Sequence, residues 1–591
     1  MAARQLNWNP VPQPQHDQTS PAIAPDDRRH GYPAAAPAFN RETILAALGA
    51  VGVAALAALI FFFNLGSYGL WEPDEARYAE IAREMLATHN FVVPHLNYVP
   101  YIEKPPLLYW LTALSMSLFG VNEFAARFVN AVAALIGVLA TYFFALRAFD
   151  RRRAILAAAV LATSGLYAVM AQVLTTDMLL TAATTVALFA LFLHWRDGGR
   201  WCWLSYAAIS LAVMTKGPVG AAIPILVGVI FLWSQHQLAN VARRFHLVGG
   251  VLLGAAICLP WFVAITLREP GFFDFYFIGE HFRRFFESSY SHGQPFYYYV
   301  PVVAGGLLPW TIFVPFLPWT SLPPNPARRF CAIAAATILA FFSIASAKLI
   351  PYILPAFPPL ALIIADAILR FADSPSPDVR RLTVIGPILG VAGAGVIAVA
   401  LNAYRFASPY PMMVHPALFM AGTIVVVGGM LSFITFWRRR LDAGLFVLVA
   451  AAAASLIVAS YGRILAEPAR SYARLAREIA ARAPDAVLVC YPRYIQSLPF
   501  YARRRVILVG PRTELEYGAE HSPDASRFFF DRRADLMRLW NQPQPTVLIV
   551  DRWAFPSLEK NLGSYSVIAS DSKKIAIVRV RDGGNRKTDA E

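Results

Sequence analysis

Acidic and basic side chains crowd one stretch of an otherwise apolar chain, Glu72 to Trp110: Glu72, Asp74, Glu75, Arg77, Glu80, Arg83, Glu84, Glu103 and Lys104. A lysine or arginine held at the headgroup depth of a membrane binds phosphate. A carboxylate beside it can orient or deprotonate an acceptor. Similar groups recur singly in short Gly- or Pro-broken turns: Asp177 in Leu174-Thr-Thr-Asp-Met178, Lys216 in Lys216-Gly-Pro218, and Lys348 ahead of Pro351-Tyr352-Ile-Leu-Pro355. A longer loop, about 268–296, carries Glu280-His281-Phe-Arg283-Arg284. Isolated charges deep in apolar sequence are costly in hydrocarbon and mark function. Arg77, Lys104, Lys216, Arg283, Arg284 and Lys348 are therefore candidates for gripping a phosphate. Glu103 and His281 could ligate a divalent metal with its other positions open, or form a plain salt bridge. Tyr78, Tyr98, Tyr101, Tyr109, Trp110 and Tyr352 suit contact with a sugar or an isoprenoid, or the aromatic belt of a membrane interface.

The elements that must hold these groups are mostly apolar helices. The chain has 591 residues, 57% hydrophobic and only 15% charged, with mean hydropathy +0.48. A soluble protein carries about 25% charged residues. Apolar runs of about 20 residues, the length that crosses a bilayer, fall at about 43–64, 123–147, 154–173, 178–194, 201–215, 218–234, 247–267, 297–319, 330–347, 350–369, 382–402, 416–437 and 442–461. The expected fold is an α-helical polytopic membrane protein of about thirteen transmembrane helices with a small C-terminal α/β domain. Asp74 to Met85 has helical spacing and reads as a helix on the membrane surface; Leu107 to Gly120 is too short to span and reads as a second surface or re-entrant helix.

Arginines fix the orientation. Arg147 and Arg151 to Arg153, Arg196 and Arg200, Arg243-Arg244, Arg328-Arg329, Arg370 with Arg380-Arg381, and Arg438 to Arg440 follow the even-numbered spans. Those ends and the N-terminus are then cytoplasmic, and an odd count places the C-terminus outside. The net charge of +15 is explained by these loops, so no nucleic-acid partner is implied. Residues 1–40 and 581–591 read as disordered tails, 41–465 as the membrane domain with its surface helices in 66–120, and 466–580 as the α/β domain. That domain starts with an amphipathic helix over Glu467 to Arg482. The β-branched runs Val487–Tyr491, Val506–Val509, Val547–Asp551 and Ile575–Val578 follow. Cys202, Cys258, Cys331 and Cys490 have no spacing suited to a disulfide framework or a thiolate zinc site.

Pro73-Asp-Glu-Ala-Arg-Tyr-Ala-Glu80 and Tyr101-Ile-Glu-Lys-Pro-Pro-Leu-Leu-Tyr-Trp110 resemble the signature of polyprenyl-phosphate-sugar-dependent glycosyltransferases of the GT-C type. Met214-Thr-Lys-Gly-Pro218, Arg268-Glu-Pro270 with Gly279-Glu-His281, Pro295 to Tyr299, Leu308-Pro-Trp310, Lys348 to Pro355 and, more weakly, Tyr494 to Tyr501 extend the resemblance. It points most closely to the aminoarabinose transferases that modify lipid A, relatives of the protein O-mannosyltransferases. One departure is Ile350-Pro351, where many relatives have Pro-Thr. The resemblance implies thirteen spans, two surface helices in the first periplasmic loop and a periplasmic α/β domain beside the active site, in the bacterial inner membrane. It places Asp74 and Asp177 near the acceptor and reaction centre, Lys104, Arg283 and Arg284 on the donor phosphate, and Glu103 with His281 at a metal site.

The expected reaction moves a sugar, 4-amino-4-deoxy-L-arabinose or a similar one, from undecaprenyl phosphate to a periplasmic acceptor, lipid A by resemblance. A hydroxyl acceptor needs Asp74 as base; an ionised phosphate acceptor needs it only for positioning. Such a donor needs no nucleotide cofactor, consistent with the lack of a P-loop or Rossmann glycine pattern. Protein or another glycolipid as acceptor is the alternative. A non-enzymatic carrier of lipid-linked sugar would instead show an internal helix repeat and midplane charges.

Overall fold

The computed structural model describes residues 41–239, 241–283, 294–316, 325–373, 378–406 and 410–580. The expected tails and Arg284 lie outside these residues, as do the side chains of His281 and Arg283. From Ala46 onward the chain is one compact unit; the other unit, Met1–Leu45, is described only as the first turn of the first helix.

Membrane helices and surface elements alternate in the first half: α1 (Arg41–Phe62), α2 (Asp74–Thr88), the hairpin β1 (His95–Leu96) and β2 (Val99–Pro100), α3 (Leu107–Phe119), α4 (Glu123–Ala148), α5 (Arg151–Ala162), α6 (Gly165–Ala171), α7 (Thr176–Asp197), α8 (Trp201–Lys216) and α9 (Val219–Ser234). Every expected span falls on a helix or a bent helix pair, but the spans are less uniform than the apolar runs suggest. Among the described residues nine helices are long and apolar enough to cross a membrane, eleven if each bent pair is one span. α8 and α9 have 16 residues each, about 24 Å of helix, short of a bilayer's hydrocarbon thickness. α5 and α6 meet at 66°, and Tyr299–Gly306 meets Trp310–Phe316 at 107°. The first bend falls where the Thr163 and Ser164 hydroxyls donate back to the carbonyls of Ala159 and Val160, at 2.6 and 2.7 Å. The second holds Pro309, which has no N–H to continue a helix.

The arginine-rich ends gather at one end of the bundle. Asp366, with a side chain only 3% exposed, accepts from Arg153, Arg328 and Arg370 at 3.0, 2.6 and 3.0 Å. Arg196, at the C-terminal end of α7, donates to the Arg147 carbonyl at 2.8 Å. α7 has 22 residues, about 33 Å, so Asp177 in its first turn lies at the opposite end.

The C-terminal part is a six-stranded mixed sheet in the order β5-β4-β3-β6-β8-β7. Its strands are β3 (Val487–Tyr491), β4 (Ile507–Val509), β5 (Phe529–Phe530), β6 (Thr546–Asp551), β7 (Tyr565–Ser570) and β8 (Lys574–Arg579). β3 runs parallel to β4 and β6, and β4 parallel to β5; β8 is antiparallel to β6 and β7. All four expected strands are present; β5, only two residues long, and β7 are unanticipated. The helix expected from Glu467 begins at Ala473 instead, because Leu441–Arg470 continues through Glu467 and breaks at Ser471-Tyr472.

α2 differs most from expectation. Its charges are not a solvated face: Glu75, Glu80, Arg83 and Glu84 are all buried. Arg83 donates to both Glu80 oxygens at 2.6 and 2.7 Å, and Glu84 accepts the Tyr98 N–H at 2.9 Å. The helix is sandwiched between α3, the hairpin and the C-terminal helix Ser497–Ala502. Docking is close: a Cβ on Gly518 would meet the Pro100 carbonyl at 2.4 Å, and one on Gly69 would meet Ala473 Cβ at 2.5 Å. Asn97 and Val506 exchange a pair of 2.9 Å hydrogen bonds, and Glu72 caps Ser497–Ala502 by accepting the N–H groups of Gln496 and Ser497 at 3.1 and 2.8 Å.

Burial, and then the Glu80 carboxylate, push the Glu84 carboxyl well above the ordinary carboxylate range. The folded state therefore holds a proton that the unfolded state releases. Its stabilisation is complete below the ordinary value and is lost as pH rises through the raised one. Glu84→Gln, neutral at every pH, should hold its Tm as pH is raised while the wild type drops by a few degrees. Thermal unfolding in detergent across acidic to alkaline pH checks this; parallel curves for the two proteins would refute it.

Candidate active site

Two segments separated by a hundred residues are locked together before any chemistry is placed. Arg127 of α4, fully buried, forks onto Glu75 with both contacts at 2.8 Å and donates to the carbonyls of Leu65, Tyr68 and Gly69. Its guanidinium lies 3.8 Å from the centre of the Tyr68 ring. Glu75 also accepts the N–H of Leu174 at 3.0 Å, and Asn130 donates to the carbonyls of Val173 and Thr175 at 2.6 and 2.9 Å. This network joins the start of α2, which carries Asp74, to the start of α7, which carries Asp177. Both aspartates sit in the first helical turn, where the helix dipole favours a carboxylate.

Around that frame the candidates form two clusters. In the first, Asp74 is half-exposed and 4.0 Å from Arg77. Arg77 reaches the Tyr101 hydroxyl and Glu514 at 3.4 Å each, and Tyr101 donates to Glu103 at 2.8 Å. Lys104 donates to the Glu103 carbonyl at 3.1 Å. Burial opposes the Arg77 charge, yet Tyr101, Glu514, Tyr78 and Glu103 together hold it protonated well above its ordinary value. In the second cluster Lys216 closes an ion pair with Asp177, both nearly buried, and its ammonium lies 4.0 Å from the centre of the Tyr352 ring.

Tyr78 stands between the clusters. Its hydroxyl is pushed above its ordinary value by burial and then by Asp74, Glu103 and Asp177, with Arg77 pulling the other way. The Tyr109 ring lies 5.9 Å from that of Tyr78. Two buried polar atoms here have no hydrogen-bond partner among the described residues: Arg77 Nε and the Tyr109 hydroxyl.

Lys348 is placed differently. It is 5% exposed, and its ammonium donates to the carbonyls of Gln294 and Ala345 at 3.0 and 2.7 Å. It also lines a separate cavity of ≈ 570 Å³ with Phe296 and Ser343. Tyr299, donating to the Leu349 carbonyl at 3.1 Å, fastens this turn. No group of three or more His, Cys, Asp and Glu side chains able to hold a metal occurs among the described residues.

Sequence reasoning missed Glu514, which lies 437 residues from its partner Arg77 and which nothing local marks. Tyr78 stands out in the sequence as one aromatic among several, but not as the group beside both aspartates.

Comparison with known proteins bears on the family and the fold. The dolichyl-phosphate-mannose-protein mannosyltransferase family model matches residues 103–263, and the aminoarabinose transferase C-terminal domain model matches residues 475–579. An undecaprenyl phosphate-alpha-4-amino-4-deoxy-L-arabinose arabinosyl transferase from Erwinia tasmaniensis is 32% identical over 67% of this chain and 71% of its own length. One of the same name from Shewanella sediminis is 30% identical over 78% of this chain and 86% of its own. The crystal structure of ArnT from Cupriavidus metallidurans bound to undecaprenyl phosphate superposes with a TM-score of 0.81, covering 91% of this chain and 99% of that one at 29% identity. With both of its parts matched and its fold shared, the chain belongs to the family of undecaprenyl phosphate-alpha-4-amino-4-deoxy-L-arabinose arabinosyl transferases, membrane glycosyltransferases of the GT-C type.

Proposed function

We propose that the protein transfers 4-amino-4-deoxy-L-arabinose from undecaprenyl phosphate to lipid A at the periplasmic face of the bacterial inner membrane. One observation carries the placement of the donor: the largely buried Arg77 guanidinium, set among Asp74, Tyr101 and Glu514, with its Nε and the Tyr109 hydroxyl unmatched. Unmatched buried polar groups cost about 1–3 kcal/mol each, and a phosphate is the kind of acceptor that both donors lack.

In the reaction the bond from the anomeric carbon to the phosphate oxygen breaks while an acceptor oxygen bonds to that carbon. The electron pair leaves with undecaprenyl phosphate, which then carries about two negative charges. Arg77 and Lys104 would meet that charge as it develops. Lys216, Arg283, Arg284 and Lys348 are the other cations assigned to the donor, and Tyr101, Tyr109 and Tyr352 the side chains set to contact its sugar or lipid. Asp177 would hold Lys216 at the reaction centre. Glu103, which accepts from Tyr101, keeps acceptor capacity and would be one ligand of a divalent ion, with His281 the other residue assigned to it. Such an ion would add positive charge beside the departing phosphate. The arginine-rich end lies on the cytoplasmic side in this arrangement, with the N-terminus, and the sheet domain lies outside.

Asp74 discriminates between acceptors. A lipid A phosphate is already largely ionised near neutral pH, so Asp74→Asn should cost it about tenfold or less. A protein or sugar hydroxyl, the second reading, needs a base worth about 10²–10⁴; the half-exposed Asp74 carboxylate beside Arg77 would serve it. Mass spectrometry of lipid A and envelope glycoproteins, with and without the gene and in the Asp74→Asn strain, is the test. Aminoarabinose on lipid A should appear only with the gene and lower polymyxin binding; unchanged lipid A with altered glycoproteins would overturn the acceptor. In proteoliposomes EDTA should slow transfer and Mg²⁺ or Zn²⁺ restore it; indifference to EDTA removes the metal.

A further inference from the structure

The end of the bundle remote from Asp177 holds two adjoining cavities of opposite character. One, of ≈ 750 Å³, is a groove between α1, α5 and Leu441–Arg470, lined by residues such as Val53, Leu56, Leu156 and Val449, with Arg152 and Asp442 among its walls. The other, of ≈ 420 Å³, shares Arg152 and Asp442 and adds Arg439 and Arg440. Leu59 and Phe446, on the groove's rim, are 52% and 73% exposed, so it opens sideways, toward hydrocarbon in a membrane.

The charges are unbalanced. Arg152 is matched by Asp442 at 2.6 Å and Asp373 at 3.5 Å. Arg439 and Arg440 are exposed and make neither an ion pair nor a side-chain hydrogen bond among the described residues. An apolar trough that leads to two uncompensated guanidinium groups complements an acyl chain that ends in a phosphate. We infer that this is a binding site for an anionic phospholipid, with its acyl chain in the groove and its headgroup phosphate against Arg439 and Arg440. The site is separate from the donor site at the other end of the helices and does not depend on what that site transfers.

Native mass spectrometry of the full chain, extracted from bilayers of equal phosphatidylglycerol and phosphatidylethanolamine, tests it. Phosphatidylglycerol should be retained preferentially, and Arg439→Ala/Arg440→Ala should reduce the preference about thirtyfold, at ~1 kcal/mol per arginine. Gly52→Leu tests the trough. A Cβ there meets nothing within 4 Å, so the new side chain enters the groove without disturbing the packing. It should lose retained lipid at an unchanged Tm. Equal retention of both lipids, a double-arginine variant that behaves as wild type, or a groove filled by a second copy or by residues 1–40 and free of lipid would each overturn the site.

Discussion

Arg77→Ala should slow sugar transfer about a thousandfold, the upper range for losing one preorganised donor to a developing oxyanion. Two effects add. On the proposed assignment the departing phosphate would lose its cation, and Asp74, Glu103 and Glu514 would be left to repel it. Arg77→Lys should recover only part of the rate. It restores the charge, but a lysine presents a point charge where the guanidinium reaches Tyr101, Glu514 and Asp74 in different directions. Initial rates in proteoliposomes, together with binding of undecaprenyl phosphate by each variant, measure this. A wild-type rate for Arg77→Ala would remove the phosphate from this pocket.

Asp177→Asn is the second large effect, and it acts on folding as well as on rate. It leaves Lys216 nearly buried with its partner gone, which costs about 3–5 kcal/mol. The protein should be less stable and inactive. Asp177→Asn/Lys216→Met removes both charges and should regain most of the lost stability without regaining activity, because on the proposed assignment the reaction centre then lacks the pair. Thermal unfolding and transfer rates on the same preparations separate the two. Restored activity in the double variant would make the pair structural only.

The sequence alone carried much of this site, for physical reasons. Asp74, Arg77, Tyr101, Glu103 and Lys104 lie in one segment, so local spacing already placed them near one another, and the structure joins them by contact. Asp177 and Lys216 stood out because single charges in apolar turns are rare, although nothing in the sequence says that they touch. The network that sets the distance between these segments was not legible. Glu75 is one of nine charges in its segment and nothing singles out Arg127, since a buried ion pair 52 residues apart has no local signature. The same blindness hid how fully α2, expected to lie on the membrane surface, is covered, because its charged side chains find partners on α4, on the hairpin and on one another. The helix count was softer than the apolar runs implied. Composition marks a run as apolar, but hydroxyl back-bonding at Thr163 and Ser164 decides that it bends.

Glu514 gives the order of synthesis a consequence. The ribosome makes Arg77 early and its carboxylate mate 437 residues later, after every membrane helix. Throughout that interval Arg77 has Asp74 and Tyr101 beside it but lacks Glu514, so on the proposed assignment its grip on an isoprenoid phosphate would be completed only when the final domain docks. Polypeptides aborted before that point would be inserted in the bilayer yet poor at consuming the cell's lipid-linked sugar.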